Sequence, residues 1–436
     1  MKKTGTFGLS LLLLLFIGFY FFLYPKLEIV SGYNAKILCS CLFVSGFDQE
    51  TAEEIDLGFG PLWLASNNVD VQNKVVRTSV LGLHPKIAIY RDGLGCSLIN
   101  DREKPEINLA TIKISDKSGW PNQPVVENEK LQEVLMKAFD SNGERMLNTR
   151  AVLVLKNGEL KGEVYAKGIM PNTPLLGWSM SKTLTAIMAG VLAKDGYWNL
   201  ESPLPVESWI GTDREKITLT DALNMKTGLE WIEDYGSVST ATKMLYSSNN
   251  MGLVASENSL EFEPGTKWKY SSGTTNILSF AMANAFSSEA EYLSFPYKRI
   301  LKPIGAETFV FETDASGHYV GSSYGYASAR DWAKLGQLLL NEGNMYGEQI
   351  IDSTWVDFMT TPVKESNGIY GGQLWFPFAR GQEGYEPIDY TLDGFQGQIV
   401  SILPSEDMVI VRLGVMYDEA NFDFGAWVKQ IREVLG

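Results

Sequence analysis

Strand patterns lie at both ends of the region from residue 126 to residue 436, and helical patterns fill the stretch between them. Near its start, the segment 150–167 predicts two strands around Asn157-Gly158, because Asn-Gly is a strong hairpin signal. Near its end, the segment 398–413 predicts a second pair of strands around a Pro-Ser-Glu-Asp turn. Both pairs can join one sheet while the intervening helices pack against it. The pattern predicts an α+β fold: an antiparallel sheet flanked by helices, with a mostly helical subdomain.

The first thirty residues predict a membrane anchor. An uncharged apolar run extends from Phe7 to Tyr24, which is about the length needed to cross the hydrocarbon core of a bilayer. The segment after it, Pro-Lys-Leu-Glu, offers no good signal-peptidase site, so a retained transmembrane helix is favoured over a cleaved signal. Lys2 and Lys3 precede the run and favour a cytoplasmic N-terminus. We therefore expect the rest of the chain on the extracytoplasmic (periplasmic) side.

Three regions follow from these patterns. Residues 1–30 form the predicted anchor, residues 31–125 an extension with short strands, and residues 126–436 the main domain. Within the extension, the runs 73–80 and 86–90 predict strands. A stretch containing proline and asparagine separates the extension from the main domain.

Composition excludes several classes of function. A net charge of -15 argues against a nucleic-acid partner. The two histidines, His84 and His318, exclude a zinc site built on several histidines, and no metal or cofactor is expected. Outside the cytosol, Cys39 or Cys41 can pair with Cys96; otherwise all three thiols stay reduced. The sequence leaves both cysteine alternatives open.

Ser179 and Lys182 form the first pattern with catalytic chemistry. A serine hydroxyl is a weak nucleophile at neutral pH and needs a neighbouring group to take its proton. On a helix, the i, i+3 spacing places both side chains on one face, and the helix N-terminus presents backbone N–H groups to a developing oxyanion. A mostly apolar run, 184–192, follows Lys182. We therefore expect burial to lower the pKa of this lysine, which suits it to accept a proton.

Two later segments offer partners for this pair. Tyr270 follows a Pro-Gly turn, and a tyrosine near a lysine ammonium can act as a general base through a stabilised phenolate. The turn 393–398 leads into a strand, where Gly397 allows a ligand close to the backbone and Gln398 can offer an N–H to an oxyanion. Taken singly, each segment also fits a structural role, as a packed aromatic or a glycine-rich turn.

Together, the three segments occur in the order of a known superfamily. They are Ser179-Met-Ser-Lys182, Tyr270-Ser-Ser272 and Phe395-Gln-Gly397. Over about residues 130–436, the chain resembles the serine β-lactamase-like superfamily of class C β-lactamases, DD-peptidases, related esterases and 6-aminohexanoate-dimer hydrolases. Glu233-Asp-Tyr235 makes it most similar to the dimer hydrolases. The resemblance implies a β-lactamase/transpeptidase-like fold.

The resemblance also implies a mechanism. Ser179 attacks a carbonyl carbon, Lys182 and Tyr270 carry the proton, and the backbone amides of Ser179 and Gln398 hold the oxyanion. Water then releases the acyl group. The substrate-binding residues implied are Ser272, Phe395, Gln396 and Gly397. The expected substrate is a small-molecule or peptide-like ester or amide.

Two residues depart from the superfamily pattern. Ser272 stands where β-lactamases have an asparagine that contacts the amide side chain of their substrate. Phe395 stands in place of a lysine or histidine, which removes a cation that would pair with a substrate carboxylate. Because a β-lactam carries such a carboxylate, an ester or amide without it is the better expectation.

Two other functions compete with a hydrolase of this type. One is a membrane-anchored sensor or scaffold that holds a peptide or acyl group without turnover, since one fold hosts many functions. A sensor has no chemical need for a serine, a lysine and a tyrosine together, which favours the enzyme. The other is an α/β-hydrolase, but the segment 177–181 lacks the GxSxG elbow and the expected late histidine is missing.

Overall fold

A computed structural model describes residues 23–100, 128–139 and 146–436 of the protein. In chain order, the strands are β1 (Ala65–Asp70), β2 (Val75–Val80), β3 (Leu83–Arg91), β4 (Gly95–Ile99), β5 (Thr149–Lys156), β6 (Glu159–Tyr165), β7 (Leu175–Leu176), β8 (Val310–Phe311), β9 (Gly325–Ala327), β10 (Asn344–Met345), β11 (Glu348–Gln349), β12 (Tyr390–Gly394), β13 (Gln398–Leu403) and β14 (Met408–Gly414). The α-helices longer than one turn are α1 (Tyr24–Phe43), α2 (Glu129–Met136), α3 (Ser181–Lys194), α4 (Leu219–Leu223), α5 (Thr240–Ser247), α6 (Met251–Ser256), α7 (Ser272–Ala283), α8 (Glu289–Pro296), α9 (Ala329–Leu340), α10 (Ser353–Met359) and α11 (Phe424–Leu435).

The main sheet joins strands from both ends of the predicted domain, in the order β12-β13-β14-β5-β6. Every neighbouring pair is antiparallel. The β5–β6 turn places Asn157 and Gly158 at φ +53° and +70°, the left-handed values that an Asn-Gly hairpin turn requires. Helix α9 packs on one face, while α2 and α11 cover the other. The α+β fold with an antiparallel sheet flanked by helices is confirmed.

The N-terminal extension forms a second antiparallel sheet, β1-β2-β3-β4, which packs on α1. The predicted strands 73–80 and 86–90 correspond to β2 and β3. Residues 30–41 of α1 are all buried, because the helix lies between this sheet and α5. The buried apolar side chains of the extension and of the domain form one continuous cluster. The predicted border at residue 30 falls inside α1.

A disulfide and a buried ion pair hold α1 in this position. A disulfide joins Cys39 on α1 to Cys96 on β4, while Cys41 stays a buried free thiol. Lys36 forms a buried ion pair with Glu312, a residue of the main domain. The Glu312 carboxylate also accepts hydrogen bonds from the Ser40 hydroxyl and the Cys96 amide, at 2.9 and 2.6 Å. One carboxylate thus connects α1 and β4 with the main domain.

Within the described ranges, no helix combines the length and apolar character needed to span a bilayer. The run from Phe7 to Tyr24 lies outside the described residues except for its last two positions, as does the predicted domain border at residue 125. The membrane anchor therefore stays a prediction.

Removing one charge of the buried pair is expected to destabilise the fold strongly. Lys36→Met leaves Glu312 as an uncompensated buried carboxylate, which typically costs about 3–5 kcal/mol of unfolding free energy. Lys74→Met is the matched control, since Lys74 pairs with Asp92 at the surface and such pairs contribute about 0–1 kcal/mol. Guanidinium unfolding of the full chain measures both. Equal losses in the two variants would contradict the structural role of the buried pair.

Candidate active site

Ser179 lies on a 3-10 turn, Trp178–Met180, that leads directly into α3. The residue before it, Trp178, has φ +47°, a left-handed value that is costly for a bulky side chain. Its ring is held on two sides: the indole Nε1 donates to Gln396 Oε1 at 3.2 Å, and Tyr33 of α1 stacks on it. The surrounding side chains thus maintain the strained conformation that presents the serine.

Two glycines allow the backbone of this turn to be packed closely. A Cβ on Gly177 would lie 2.1 Å from the Trp332 ring, and a Cβ on Gly394 would lie 2.1 Å from the Gly177 carbonyl oxygen. Larger residues cannot occupy either position without displacement of the backbone or the ring. The end of the edge strand β12 is therefore in contact with the turn that carries Ser179.

Lys182 lies one helical turn from Ser179 and is 1% exposed. Its Nζ is 3.0 Å from Ser179 Oγ, 3.0 Å from Ser272 Oγ and 2.9 Å from the Ser322 carbonyl oxygen. Burial lowers the pKa of Lys182 to about 8, against an opposing effect of the Glu233 carboxylate. The neutral amine is therefore a minor but accessible form of this lysine near physiological pH.

Glu233 organises the polar groups next to Lys182. Its carboxylate accepts hydrogen bonds from the Ser272 amide at 2.9 Å, the Tyr235 hydroxyl at 2.6 Å, the Ser272 hydroxyl and the Trp231 indole. From the sequence, Glu233 and Tyr235 supported only the resemblance to the dimer hydrolases. In the structure both residues contact Ser272 of the second motif, so two segments that are distant in the sequence meet at the site.

The hydrogen-bond directions around Lys182 suit a base. Because Ser272 donates its proton to Glu233, its oxygen can only accept from Lys182. The Ser322 carbonyl oxygen is also only an acceptor. A neutral Lys182 amine satisfies these two acceptors with its two protons, and its lone pair then faces Ser179 Oγ.

Tyr270 completes the group. Its hydroxyl is hydrogen-bonded with Ser179, and its ring packs against Tyr370 and Trp375 with centroid distances of 5.7 and 5.0 Å. Exclusion of water by these rings, together with the Glu233 charge, raises the pKa of Tyr270 above its usual value. Tyr270 is therefore protonated at neutral pH, which differs from the stabilised phenolate expected from the sequence.

The third motif is divided between two cavities. Phe395, which follows β12, lines the cavity that contains Ser179. Gln396 and Gln398 line a separate small cavity behind Trp178. Gln398 begins the inner strand β13, and its side chain bonds to both the carbonyl and the amide of Gly414. The side chains of these two glutamines are thus separated from the cavity at Ser179.

A buried arginine fixes the turn between β12 and β13. Arg412 on β14 donates to the carbonyl oxygens of Gln396 and Gly397, at 3.2 and 2.9 Å, and to Thr149 Oγ1. The Gly397 amide donates to Glu419 at 3.0 Å. The role of Gly397 in this structure is therefore within the turn, where its neighbours hold the end of β12 in place.

The cavity at Ser179 has a volume of about 310 Å³. Half of its lining residues precede the main domain, including Ile29 and Val30 of α1 and Phe59 and Leu62 of the segment between α1 and β1. The sequence left open whether residues 31–125 cover the mouth of the active site and set specificity or only space the domain from the membrane. Among the residues that the structure describes, no group of three histidine, cysteine or acidic side chains is placed to bind a metal ion.

A helix-borne serine and lysine beside the edge strand of an antiparallel sheet define the class of serine hydrolases with a β-lactamase/transpeptidase-like fold. The family model described as Beta-lactamase matches residues 139–414. The chain therefore belongs to the beta-lactamase family, and it is an enzyme of the serine hydrolase type.

Individual relatives agree with this placement. The 6-aminohexanoate-dimer hydrolase of Paenarthrobacter ureafaciens is 23% identical over 335 residues, covering 70% of this chain and 82% of that protein. A candidate 6-aminohexanoate-dimer hydrolase structure from Bacillus anthracis is similar with a TM-score of 0.58 and 22% identity, over 72% of this chain and 87% of that one. A family VIII carboxylesterase gives a TM-score of 0.55 and 15% identity, over 72% and 99% of the respective chains. At these identities the solved structures establish the fold alone.

If Lys182 accepts the serine proton, kcat/KM for a neutral ester is expected to rise with pH through about 8 and then level off. Glu233→Gln removes the negative charge that raises the pKa of Lys182, so the inflection is expected at a lower pH. The measurement is a pH profile of kcat/KM, corrected for spontaneous hydrolysis.

The control for this profile is Asp234→Asn, which makes the same charge change on the neighbouring exposed carboxylate. We expect the inflection to stay where it is in the wild type. An inflection that moves to higher pH in Glu233→Gln, or moves equally in both variants, would contradict the assigned electrostatic role of Glu233.

Proposed function

We propose that the protein hydrolyses an ester or amide through an acyl-enzyme on Ser179. The observation that carries the proposal is the contact of Lys182 Nζ with Ser179 Oγ at 3.0 Å, beside two acceptors that can take both protons of a neutral amine. A lysine pKa of about 8 makes that neutral form accessible near neutral pH. A lysine with only a structural role would need neither this arrangement of hydrogen bonds nor a lowered pKa.

In the acylation step, Ser179 Oγ forms a bond to the substrate carbonyl carbon while its proton passes to Lys182. The resulting oxyanion is stabilised by backbone N–H groups, for which we propose Ser179 and, from the family pattern, Gln398. The position of Phe395 at the cavity makes its amide an alternative second donor. Collapse of the tetrahedral intermediate breaks the bond to the leaving group.

The leaving group must take up a proton as it departs. Tyr270 is the proposed donor, because its raised pKa keeps it protonated and its hydroxyl reaches Ser179. Lys182, which holds the serine proton and whose Nζ lies 4.9 Å from the Tyr270 ring centroid, would return a proton to the tyrosine through water. Attack by water on the acyl-enzyme, with the same groups acting in reverse, releases the acid and restores Ser179.

The charges near the site favour a substrate without a carboxylate. Phe395 occupies the position at which the superfamily has a lysine or histidine. Arg380 lies near this strand, but its guanidinium donates to Asp393 at 2.6 Å. Lys26, the one charged residue that lines the described cavity, is exposed on α1. A β-lactam carboxylate would therefore lack the cation that the superfamily provides at the strand, and we propose a neutral ester or amide as the substrate. A nucleic-acid partner is not expected at a net charge of -15.

We further propose that the N-terminal segment before α1 attaches the enzyme to a membrane and that the catalytic domain faces the extracytoplasmic side. The apolar run from Phe7 supports the attachment. The Cys39–Cys96 disulfide supports the location, because disulfides persist mainly in oxidising compartments. The competing function is a sensor with the same fold, which would be acylated once without turnover.

The assignment of Ser179 is tested by intact-mass analysis after exposure to a fluorophosphonate, alongside turnover of p-nitrophenyl acetate. We expect one adduct on the wild type and none on Ser179→Ala, with loss of ester turnover in that variant. Ser405→Ala, at an exposed turn, is the matched control and should label fully. A folded wild type that stays unlabelled would contradict the proposal.

The Tyr270→Phe variant tests proton donation by Tyr270 and leaves the nucleophile, Ser179, in place. Because it removes only the hydroxyl, we expect ester turnover to fall by about 10²–10⁴-fold, the usual contribution of general acid–base catalysis. The loss should be smaller for a p-nitrophenyl ester than for an alkyl ester, since an alkoxide needs protonation more. Equal rates in the variant and the wild type on the alkyl ester would exclude Tyr270 as the donor.

A further inference from the structure

The cavity at Ser179 has a wall that lies outside the family domain. The family match begins at residue 139, whereas Ile29, Val30, Phe59 and Leu62 line the cavity from the part of the chain that precedes it. We propose that this cavity binds a linear aliphatic acyl chain, so that the substrate is an ester or amide of an aliphatic carboxylic acid. The inference rests on the proposed hydrolase function and names its substrate class.

The lining is chemically suited to an aliphatic chain. Aliphatic and aromatic side chains supply most of it, and Lys26, an exposed residue, is the one charged residue among the lining positions that the structure describes. A polar chain in such a cavity would lose its water without gaining hydrogen bonds, which is unfavourable. An aliphatic chain instead gains free energy with each methylene group removed from water.

The position of the catalytic groups decides which half of the substrate enters. Ser179 lines the cavity, whereas Lys182 and Tyr270 are not among the residues that line it. The leaving group must be near Tyr270 to receive its proton, so it occupies the other side of Ser179. The half that remains bonded to the serine, the acyl group, is the half directed into the cavity.

The wall from the extension is held firmly. The Lys36–Glu312 pair and the Cys39–Cys96 disulfide fix α1 to the rest of the molecule. Tyr33 on the same helix stacks on Trp178, with a centroid distance of 6.2 Å, next to the nucleophile. A wall positioned in this way can select chain length, because preorganised apolar sites bind without a cost for ordering the protein.

The test is the dependence of kcat/KM on acyl length in p-nitrophenyl esters from acetate to decanoate, measured on the full chain. We expect an increase of about fourfold for each added methylene until the cavity is filled, from about 0.8 kcal/mol per buried methylene. In a parallel series of alkyl acetates, where the leaving group grows instead, we expect no comparable increase.

Two variants fill the cavity from separate walls: Ile29→Trp on α1 and Val238→Trp on the loop opposite. In each, we expect the ratio of decanoate to acetate activity to fall by more than about tenfold, because the bulky ring occupies the space of several methylene groups. Val71→Trp is the control, at a 72% exposed valine of the same extension, and should keep the wild-type ratio.

The outcomes separate this inference from the function on which it rests. Fluorophosphonate labelling of Ser179 with a flat or falling acyl series overturns the acyl-chain site and leaves the hydrolase intact. An increase in the alkyl acetate series instead would place the chain on the leaving-group side, which also overturns it. Absence of both labelling and turnover would overturn the proposed function itself.

Discussion

The buried ion pair between Lys36 and Glu312 is the interaction on which the arrangement of the molecule depends. It connects α1 with the main domain, and the same carboxylate accepts the Cys96 amide of β4. Two charges inside a core are tolerated only when they are paired and hydrogen-bonded, so moving the helix away from this contact would be costly. With α1 fixed, Tyr33 supports Trp178, and Trp178 in turn supports the strained turn that presents Ser179. The extension is therefore part of the site and more than a spacer.

Burial has a second consequence at Lys182. An ammonium surrounded by protein is less favourable than a neutral amine, and this lowers the pKa of the lysine to about 8. The nearby Glu233 carboxylate works in the opposite direction and keeps the value from falling further. The same carboxylate orients the Ser272 hydroxyl, which determines where the lysine protons point. One acidic residue thus influences both the charge and the geometry of the base.

The parts of the fold that the sequence predicted have local signals. Asn157-Gly158 marked the first hairpin, and apolar runs rich in β-branched residues marked β13 and β14, so the antiparallel sheet was predictable. Helix α1 was missed beyond residue 30 because it is buried on all sides and has no amphipathic stripe to reveal it. Strand β1 was missed because its sequence, Ala-Ser-Asn-Asn-Val-Asp, has little β propensity.

The candidate site was predictable in its motifs and not in its details. The order of the three motifs indicated Ser179, Lys182 and Tyr270, which lie together in the structure. The long-range contacts had no sequence signal: Glu233 meets Ser272 across 39 residues, and Lys36 meets Glu312 across 276. Phe395 lines the cavity at Ser179 and Gln398 does not, and this difference depends on where β12 ends. The glycine-rich sequence of the turn does not reveal that end.

The central claim is that Ser179 carries an acyl group that water removes. The most direct measurement is acid quenching during turnover of a p-nitrophenyl ester, followed by mass analysis of the peptide that contains Ser179. The account predicts an acyl adduct on that peptide while substrate remains and an unmodified peptide once it is exhausted. An adduct that persists after exhaustion would indicate a sensor, and turnover with the adduct on another residue would contradict the assigned nucleophile.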